Sequence, residues 1–281
     1  MNGKEHDESL ARPGEPELSS DPDLSSDPGL GRPPVPVDFA ARVLERVGIG
    51  RERYDTYVRL ESAAGGLFVA FSPTSVTGSV PAIEGLTAER FEELHRSRTG
   101  RSAITTSRRF PGLVTAVRTG RARKLPLDCG PDGLPETDVL QAIRVIPAGQ
   151  LRPLSWIARE ASLPPATDLA MVLGVLARNP LVVLVPCHRV TYENGVPCDA
   201  AYPSSIGDAL RTAEGIDMIE VRRWAHGDGA FLGSDTTRIY CHPTCSHARR
   251  ITPPHRVVFT NARAARRAGY RACKSCRPLP T

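Results

Sequence analysis

The chain has 281 residues, of which 40% are hydrophobic, and this length favours two or three globular domains over a single small core. The formal net charge of +5 conceals an uneven distribution, because residues 1–31 hold eight acidic and two basic side chains, whereas residues 235–281 hold ten basic side chains and one acidic one. No apolar run approaches the ~18 residues of a membrane span and no signal pattern opens the chain, so we exclude a membrane protein and expect a cytoplasmic one.

Residues 1–37 are rich in proline, serine, aspartate and glycine, and they repeat the segment Leu-Ser-Ser-Asp-Pro. Such a composition cannot bury enough apolar surface to offset the entropy lost on ordering. We therefore predict a disordered tail and assign it no function.

Residues 38–130 have the pattern of a small α+β domain. Asp38 is placed to cap a short helix that carries Phe39, Val43 and Val47 on one face. Residues 54–60 and 67–71 are β-rich and predict a hairpin. A further helix is indicated by apolar residues at helical spacing, namely Phe110, Leu113, Val114 and Val117. Residues 125–134 hold several prolines and glycines and mark the end of this domain.

Residues 136–222 are predicted to be mostly helical. One helix carries Val139, Leu140 and Ile143 on its apolar face, a second covers residues 155–161, and a third is capped by Thr167 or Asp168. The second and third, joined by a tight turn, resemble a helix-turn-helix. Residues 181–185 form a continuous apolar run that suits a buried strand, and a last helix over residues 205–213 ends at Glu214.

The seven cysteines exclude a complete disulfide framework because their number is odd, and a reducing compartment favours metal binding or thiol chemistry. Cys241 and Cys245 form one tight pair, and Cys273 and Cys276 form a second pair, with 27 residues between the two pairs. Two such pairs complete a tetrahedral Zn²⁺ site of four thiolates. The alternatives are a purely structural zinc site and four unrelated thiols in a basic domain.

The segment from Thr236 to Cys245 and the segment from Ala265 to Pro278 together resemble the metal-binding domain of the Ada alkylation-repair proteins. We expect this domain to cover residues 230–281. The resemblance implies that Cys241, besides holding zinc, irreversibly accepts a methyl group from a methylated DNA phosphate. One departure is His242, which stands where the family usually has arginine.

The charge of this region fits such a role. Zn²⁺ with four thiolates has a formal charge of −2, and methylation of one sulfur reduces it to −1, which should strengthen DNA binding. A basic region of this density indicates a polyanionic partner, and we expect double-stranded DNA that carries alkyl lesions. The arginines that would contact phosphates are Arg249, Arg250, Arg263, Arg266 and Arg267.

Residues 186–190 are Pro-Cys-His-Arg-Val, with Asn179 upstream and Glu214 downstream. Over residues 136–216 this pattern resembles the O6-alkylguanine-DNA alkyltransferases, and residues 50–127 would correspond to the small N-terminal domain of that family. The resemblance implies an α+β fold in which a helical, winged-helix-like domain carries the active site. It also implies that Cys187 removes the alkyl group from a flipped-out guanine, once per molecule.

A cysteine beside a histidine, with a distant glutamate, is a chemically sensible way to make a thiolate. Glu214 would orient His188 and balance its charge, while Asn179 would help to hold the turn. Neighbouring residues of a strand point to opposite faces, so Cys187 and His188 need a bend or a bridging water to communicate. The alternative is that Cys187 is a buried structural thiol at a strand end.

Several positions around this signature depart from the family, and an uncertain insertion near residues 165–168 affects the alignment of the helix. Leu154 replaces the base-flipping tyrosine, and Ala170 replaces the arginine that fills the gap left by the extruded base. The other departures are Leu173, Asp199, Ala200, Pro203 and Gly207. Base flipping costs a few kcal/mol of unstacking, so we expect slow or absent guanine repair.

These features predict DNA alkylation repair by stoichiometric methyl transfer to cysteine, with the two modules in the reverse of the usual Ada order. The first alternative is a lesion-binding or transcription-regulating DNA protein that has lost catalysis. The second is a thiol or metal sensor unrelated to DNA. We expect a monomer.

Overall fold

The computed structural model of the chain describes residues 36–226 and 231–279. Residues 1–35 of the tail that the sequence predicts to be disordered lie outside the described part of the chain. The described part is a mixed α+β structure, which confirms the predicted fold class. None of its helices combines the length and the apolar character needed to cross a membrane.

The first part of the chain folds around a four-stranded sheet. Its elements are α1 (Phe39–Arg46), β1 (Asp55–Ser62), β2 (Gly65–Phe71), β3 (Val76–Pro81), α2 (Ala88–Thr99), β4 (Ala103–Thr105) and α3 (Leu113–Thr119). The strand order is β3-β2-β1-β4. The predicted hairpin is confirmed, since β1 and β2 pair antiparallel from Thr56 opposite Phe71 to Ser62 opposite Gly65.

Strand β2 is buried on both faces, because alternate side chains point to opposite sides of a sheet. Phe68 packs against Phe91 of α2, with their ring centroids 5.1 Å apart. Leu67 and Val69 point to the other face and join the core that continues into the helices that follow. The sheet therefore links the first part of the chain to the next part.

Helix α1 forms where it was predicted, but Asp38 does not cap it. The Asp38 carboxylate instead accepts hydrogen bonds from the Thr106 hydroxyl at 2.7 Å and the Ser107 amide at 3.0 Å. These contacts place α1 beside β4 and leave its apolar residues Phe39 and Val43 exposed.

The central part is helical. Its elements are α4 (Pro135–Arg144), β5 (Arg152–Pro153), α5 (Leu154–Glu160), α6 (Leu169–Ala177), β6 (Val190–Thr191) and α7 (Ser204–Ala213). The three residues predicted for the apolar face of α4 are all buried. Asp168 caps α6 by accepting a hydrogen bond from the Ala170 amide at 2.9 Å, which confirms one of the two predicted caps.

The strand predicted over residues 181–185 is wrong. The segment turns on itself, because the Val185 amide donates to the Leu181 carbonyl at 2.7 Å and Val183 has a φ of 75°. Only isolated bridges form, among them one from Leu181 to Ser79 of β3. The prolines on either side, Pro180 and Pro186, lack the N–H that a strand ladder requires. The residues are buried as expected, but in a loop that packs on the sheet edge.

The last part holds a second four-stranded sheet. Its elements are α8 (Met218–His226), β7 (Phe231–Ser234), β8 (Ile239–Cys241), β9 (Arg256–Phe259), α9 (Ala262–Arg267) and β10 (Arg271–Ala272). The strand order is β10-β8-β7-β9. The boundary expected at residue 222 falls within α8, which is continuous to His226.

Candidate metal centre and buried cysteine site

Four cysteines meet at one end of the second sheet. Cys241 ends β8 and Cys273 follows β10, and these two strands pair in parallel, so the two cysteine pairs lie side by side. The Sγ atoms of Cys241, Cys245, Cys273 and Cys276 all lie within 4.8 Å of one another, and all four side chains are buried. This arrangement suits one ion with tetrahedral coordination.

Backbone hydrogen bonds shape the ligand loops. The Cys273 amide donates to the Tyr240 carbonyl at 2.9 Å, and the Cys245 amide donates to the His242 carbonyl at 2.9 Å. The His242 amide points at the Cys276 sulfur, 3.4 Å away. An amide N–H directed at a sulfur favours the thiolate form, which is the form that ligates metal. Four buried thiolates on short loops fit Zn²⁺, and the site binds zinc.

Cys241 is 2% exposed and lies in the wall of a surface groove. The groove has a volume of about 360 Å³, and besides Cys241 it is lined by hydroxyl groups, imidazoles, one guanidinium and the apolar side chains of Ile239 and Ile251. These side chains include Thr236, Thr237, Arg250 and His255. Hydroxyl and guanidinium groups are common donors to phosphate oxygens. The groove therefore places side chains of the kinds that bind phosphate beside a ligand cysteine.

The second site surrounds Cys187, which lies in a short 3-10 helix, Cys187–Arg189. Its side chain is 1% exposed, and its Sγ accepts a hydrogen bond from the Asn179 amide nitrogen at 3.1 Å. Burial raises the pKa of the Cys187 thiol to about 12, although the Asn179 contact acts in the opposite direction. In the resting protein Cys187 is therefore a protonated thiol.

His188 and Glu214 pair as predicted. His188 Nε2 lies 2.9 Å from Glu214 Oε1. Burial alone would raise the pKa of Glu214, but hydrogen bonds from His188 and Arg189 outweigh that effect and hold it at about 2. Burial also lowers the pKa of His188, so the ring is neutral and Nε2–H donates to the carboxylate. Nδ1 then remains an acceptor, and it has no protein partner among the described residues.

Sequence reasoning missed the buried ion pair on the far side of His188. Arg211 is fully buried, donates to the His188 carbonyl at 3.1 Å, and pairs with Asp199 at 2.8 Å. A Cβ at Gly207 would lie 2.3 Å from Asp199 Oδ1, so a side chain there would collide with the pair. The sequence shows that Gly207 stands where the family has lysine. Only the structure shows that the missing side chain makes room for the Arg211–Asp199 pair.

Leu154 and Ala170, which stand where the alkyltransferase family has its base-flipping residues, differ in their burial. Leu154 begins α5 and is 3% exposed, so it is a packed core residue. Ala170 is in the first turn of α6 and is exposed. The two helices nevertheless contact each other as predicted for a helix-turn-helix.

The contact between helix α5 and the metal centre could not be predicted from the sequence. The metal centre packs directly on α5, because the Trp156 indole N–H donates to the Cys276 carbonyl at 3.0 Å. The Leu151 amide donates to the Thr244 hydroxyl at 2.7 Å. Arg152, between these two contacts in the chain, is 2% exposed. The partners in these hydrogen bonds are 120 and 93 residues apart, so no local pattern predicts them.

Comparison with known families accounts for both sites. Residues 135–216 match the family described as the 6-O-methylguanine DNA methyltransferase, DNA binding domain. Residues 218–278 match the family described as the metal binding domain of Ada. The chain therefore joins a domain of the methyltransferase DNA-binding type to a metal-binding domain of the Ada type. Helix α8 lies within the second match, and its Met218 and Val221 pack against Leu151 and Ile216.

Individual relatives match part of the chain. A methylated-DNA–protein-cysteine methyltransferase of Methanosarcina acetivorans is 30% identical over 103 residues, which cover 36% of this chain and 65% of the relative. The protein of the same name in Salmonella typhimurium is 29% identical over 109 residues, covering 38% of this chain and 58% of the relative. The chain thus spans less than two thirds of the length of these relatives.

Solved structures resemble a larger part of the chain. The Mycobacterium tuberculosis OGT in complex with DNA is 25% identical, with a TM-score of 0.44, and the match covers 57% of this chain and 93% of that one. The O6-methylguanine-DNA methyltransferase of Pyrococcus kodakaraensis is 18% identical, with a TM-score of 0.45, and the match covers 58% and 99% of the two chains.

Proposed function

We propose that this protein repairs alkylated DNA by transferring methyl groups irreversibly to its own cysteines, with Cys241 as the main acceptor. The observation that carries the proposal is the location of Cys241, which is both a member of the four-cysteine centre and a lining residue of the groove. The substrate would be double-stranded DNA with a methylated phosphate, and the protein would act as a monomer. Each molecule would act once per acceptor.

The chemistry at Cys241 is a single displacement. When bound, zinc supplies the positive charge that keeps the ligand sulfurs as thiolates at neutral pH. The Cys241 sulfur would attack the methyl carbon while the carbon–oxygen bond breaks. The electron pair would stay on the phosphate oxygen, which restores an anionic phosphodiester. Thr237 and Arg250, which line the groove, would bind the phosphate and hold its methyl group towards the sulfur.

The chemistry at Cys187 has an additional requirement, because its thiol must first lose a proton. His188 Nδ1 is the available acceptor, through a bridging water or after a small movement, while Glu214 stabilises the ring from the other side. The methyl group of O6-methylguanine would then pass to the sulfur. We propose that this reaction is slow, because Leu154 and Ala170 replace the groups that flip the base.

A second function has support from the same domain. Cys187 is nearly inaccessible, and the Arg211–Asp199 pair fills the space beside its helical turn. A domain in this state could bind DNA lesions without transferring the alkyl group. The protein would then be a lesion-binding or regulatory protein in which only the zinc domain reacts, or in which neither domain does.

Peptide mass spectrometry of the whole protein after exposure to methylated duplex DNA tests the proposal. We expect one methyl group on the peptide that contains Cys241, and slower or no labelling of the peptide that contains Cys187. Arg250→Ala should slow labelling of Cys241 about ten- to hundred-fold, since a charge-assisted hydrogen bond contributes ~1.5–3 kcal/mol, and it should leave the zinc content unchanged.

Arg271→Ala is the matched control, because it removes an exposed arginine of the same domain that neither lines the groove nor belongs to the five arginines expected to contact phosphates. Its labelling rate should stay close to that of the unaltered protein. Absence of a methyl group from every cysteine would contradict methyl transfer and favour the lesion-binding function.

A further inference from the structure

Arg152 is a buried cation without a carboxylate partner in the described part of the chain. Its guanidinium donates to two neutral acceptors, the Leu151 carbonyl at 2.7 Å and the Gln150 side-chain oxygen at 2.6 Å. Its Nε has no partner. Burying a charge is costly unless an opposite charge compensates it. The fold must therefore provide a negative charge near Arg152 by some other means.

The metal centre provides that charge. Burial lowers the pKa of Arg152, and the opposing influences come from all four ligand cysteines, with Cys276 the largest. Zn²⁺ and four thiolates sum to a formal charge of −2, and all four of these sulfurs belong to buried side chains. His247 also approaches the centre, since its Nδ1 lies 3.5 Å from Cys273 Sγ. Arg152 and the metal centre thus each carry a buried charge that the other can compensate.

Trp156 fixes the geometry of this arrangement. The Arg152 guanidinium carbon lies 5.5 Å from the centre of the Trp156 ring. The indole N–H of the same residue donates to the carbonyl of the ligand Cys276. Arg277, just after that ligand, forms an ion pair with Glu160 at the end of α5. Helix α5 and the residues before it therefore surround one side of the metal centre.

We propose that Arg152 is the countercharge of the zinc–thiolate centre, so that zinc binding and docking of the zinc domain on α5 are one coupled event. The alkyltransferase domain completes the metal site of its neighbour. This inference does not depend on methyl transfer, because it concerns only the charge and the packing of the loaded centre.

Replacing Arg152 should change the stability of the zinc-bound protein and of the metal-free protein in different ways, which a loss of packing alone would not do. With zinc bound, Arg152 stabilises the protein, because it faces a net negative centre. Without zinc and with the thiols protonated, Arg152 faces neutral groups and its burial is uncompensated. Replacing it with a neutral side chain of similar length should therefore weaken the loaded protein and leave the metal-free protein at least as stable as before.

The test compares Arg152→Met and Arg152→Lys in the full chain, with Arg90→Met as the control. Arg90 forms an exposed ion pair on α2, in the first part of the chain. Zinc affinity is measured by competition with a chromophoric chelator. We expect Arg152→Met to lower zinc affinity ten- to hundred-fold, as removal of a partner of metal ligands commonly does. Arg152→Lys keeps the charge and should stay within a few-fold of the unaltered protein, and Arg90→Met should show no change.

Thermal unfolding of the metal-free proteins gives the second measurement, in which Arg152→Met should unfold at the same temperature as the unaltered protein or above it. The inference is overturned if Arg152→Met binds zinc as tightly as the unaltered protein, or if Arg152→Lys loses as much affinity as Arg152→Met. If Arg152→Met does not fold, Arg152→Lys decides alone: normal zinc affinity supports the role of the charge, and a large loss rejects it.

Discussion

Glu214 connects three elements around the buried cysteine site. Its carboxylate accepts hydrogen bonds from His188 at 2.9 Å, from Arg189 at 3.0 Å and from the Gly149 amide at 2.8 Å. The sequence allowed the pairing of Glu214 with His188 to be predicted, because both belong to the same signature. The additional bonds from Arg189 and Gly149 depend on how the loops approach each other, and they make Glu214 a structural anchor as well as a partner of His188.

We predict that Glu214→Gln lowers the free energy of unfolding at neutral pH. We also predict that this free energy then depends less on pH between about 4.5 and 2. The pKa of Glu214 falls from its ordinary value of 4.5 to about 2 in the folded protein. At ~1.4 kcal/mol per pKa unit, the ionised group contributes up to about 3 kcal/mol, present above pH 4.5 and lost as the pH falls towards 2. Denaturant unfolding at several pH values measures this.

The exposed Glu45 of α1 offers the control for this prediction. Glu45→Gln should reproduce the pH profile of the unaltered protein. An unchanged slope between pH 4.5 and 2 in Glu214→Gln would mean that other carboxylates cause the acid sensitivity.

At the level of elements, helix α6 of the helix pair α5–α6 has one exposed side and one buried side. Its first turn exposes Ala170, whereas Val172 and Leu176 face the core. A side chain at Ala170 can therefore reach a partner without disturbing the packing. Leu154 differs, because a larger residue in its buried position would overpack the core.

We predict that Ala170→Arg raises affinity for duplex DNA and speeds methyl transfer to Cys187 from duplex O6-methylguanine more than from the free base. The reason is that only the duplex reaction requires the base to leave the stack. The slope of log affinity against log salt should steepen by about 1 for the added phosphate contact. Single-turnover labelling and binding at several salt concentrations provide the measurements.

Ala177→Arg, at the exposed opposite end of α6, adds the same charge as a control. Equal gains in both variants would show that net charge, rather than the first turn of α6, causes the effect.

The elements also show what the sequence could not reveal. The hairpin and helices α4 to α7 follow from local periodicity and capping, and the structure confirms them. Residues 181–185 are apolar enough for a strand, but burial alone does not distinguish a strand from a buried turn between two prolines. The packing of α5 on the metal centre depends on contacts between residues about a hundred positions apart, and such contacts leave no local pattern.

Over the whole molecule, the zinc domain has an exposed arginine surface beside a negatively charged metal centre. Arg249, Arg250, Arg263, Arg266 and Arg267 are all exposed. The centre holds a formal charge of −2 in the loaded protein, which opposes the attraction of these arginines for phosphates. The net attraction for DNA therefore depends on the state of the cysteines.

We predict that methylation of Cys241 raises DNA affinity and steepens its salt dependence. A methylated sulfur is a neutral thioether, so the centre changes from −2 to −1 while the arginines stay the same. Binding isotherms at several salt concentrations, before and after methylation, are the measurement. Equal affinities in the two states would be compatible with repair but would contradict a charge switch.

All seven cysteines of the chain are buried. Oxidants and glutathione attack exposed thiolates first, and an oxidised sulfur can no longer accept a methyl group. Here Cys187 is a protonated, inaccessible thiol, and four other cysteines form the metal centre. A protein of the proposed function would use each acceptor sulfur only once, and burial would protect that sulfur until it meets damaged DNA. Loss of unmethylated cysteine to oxidation would then depend on how often the fold opens, rather than on the concentration of oxidant.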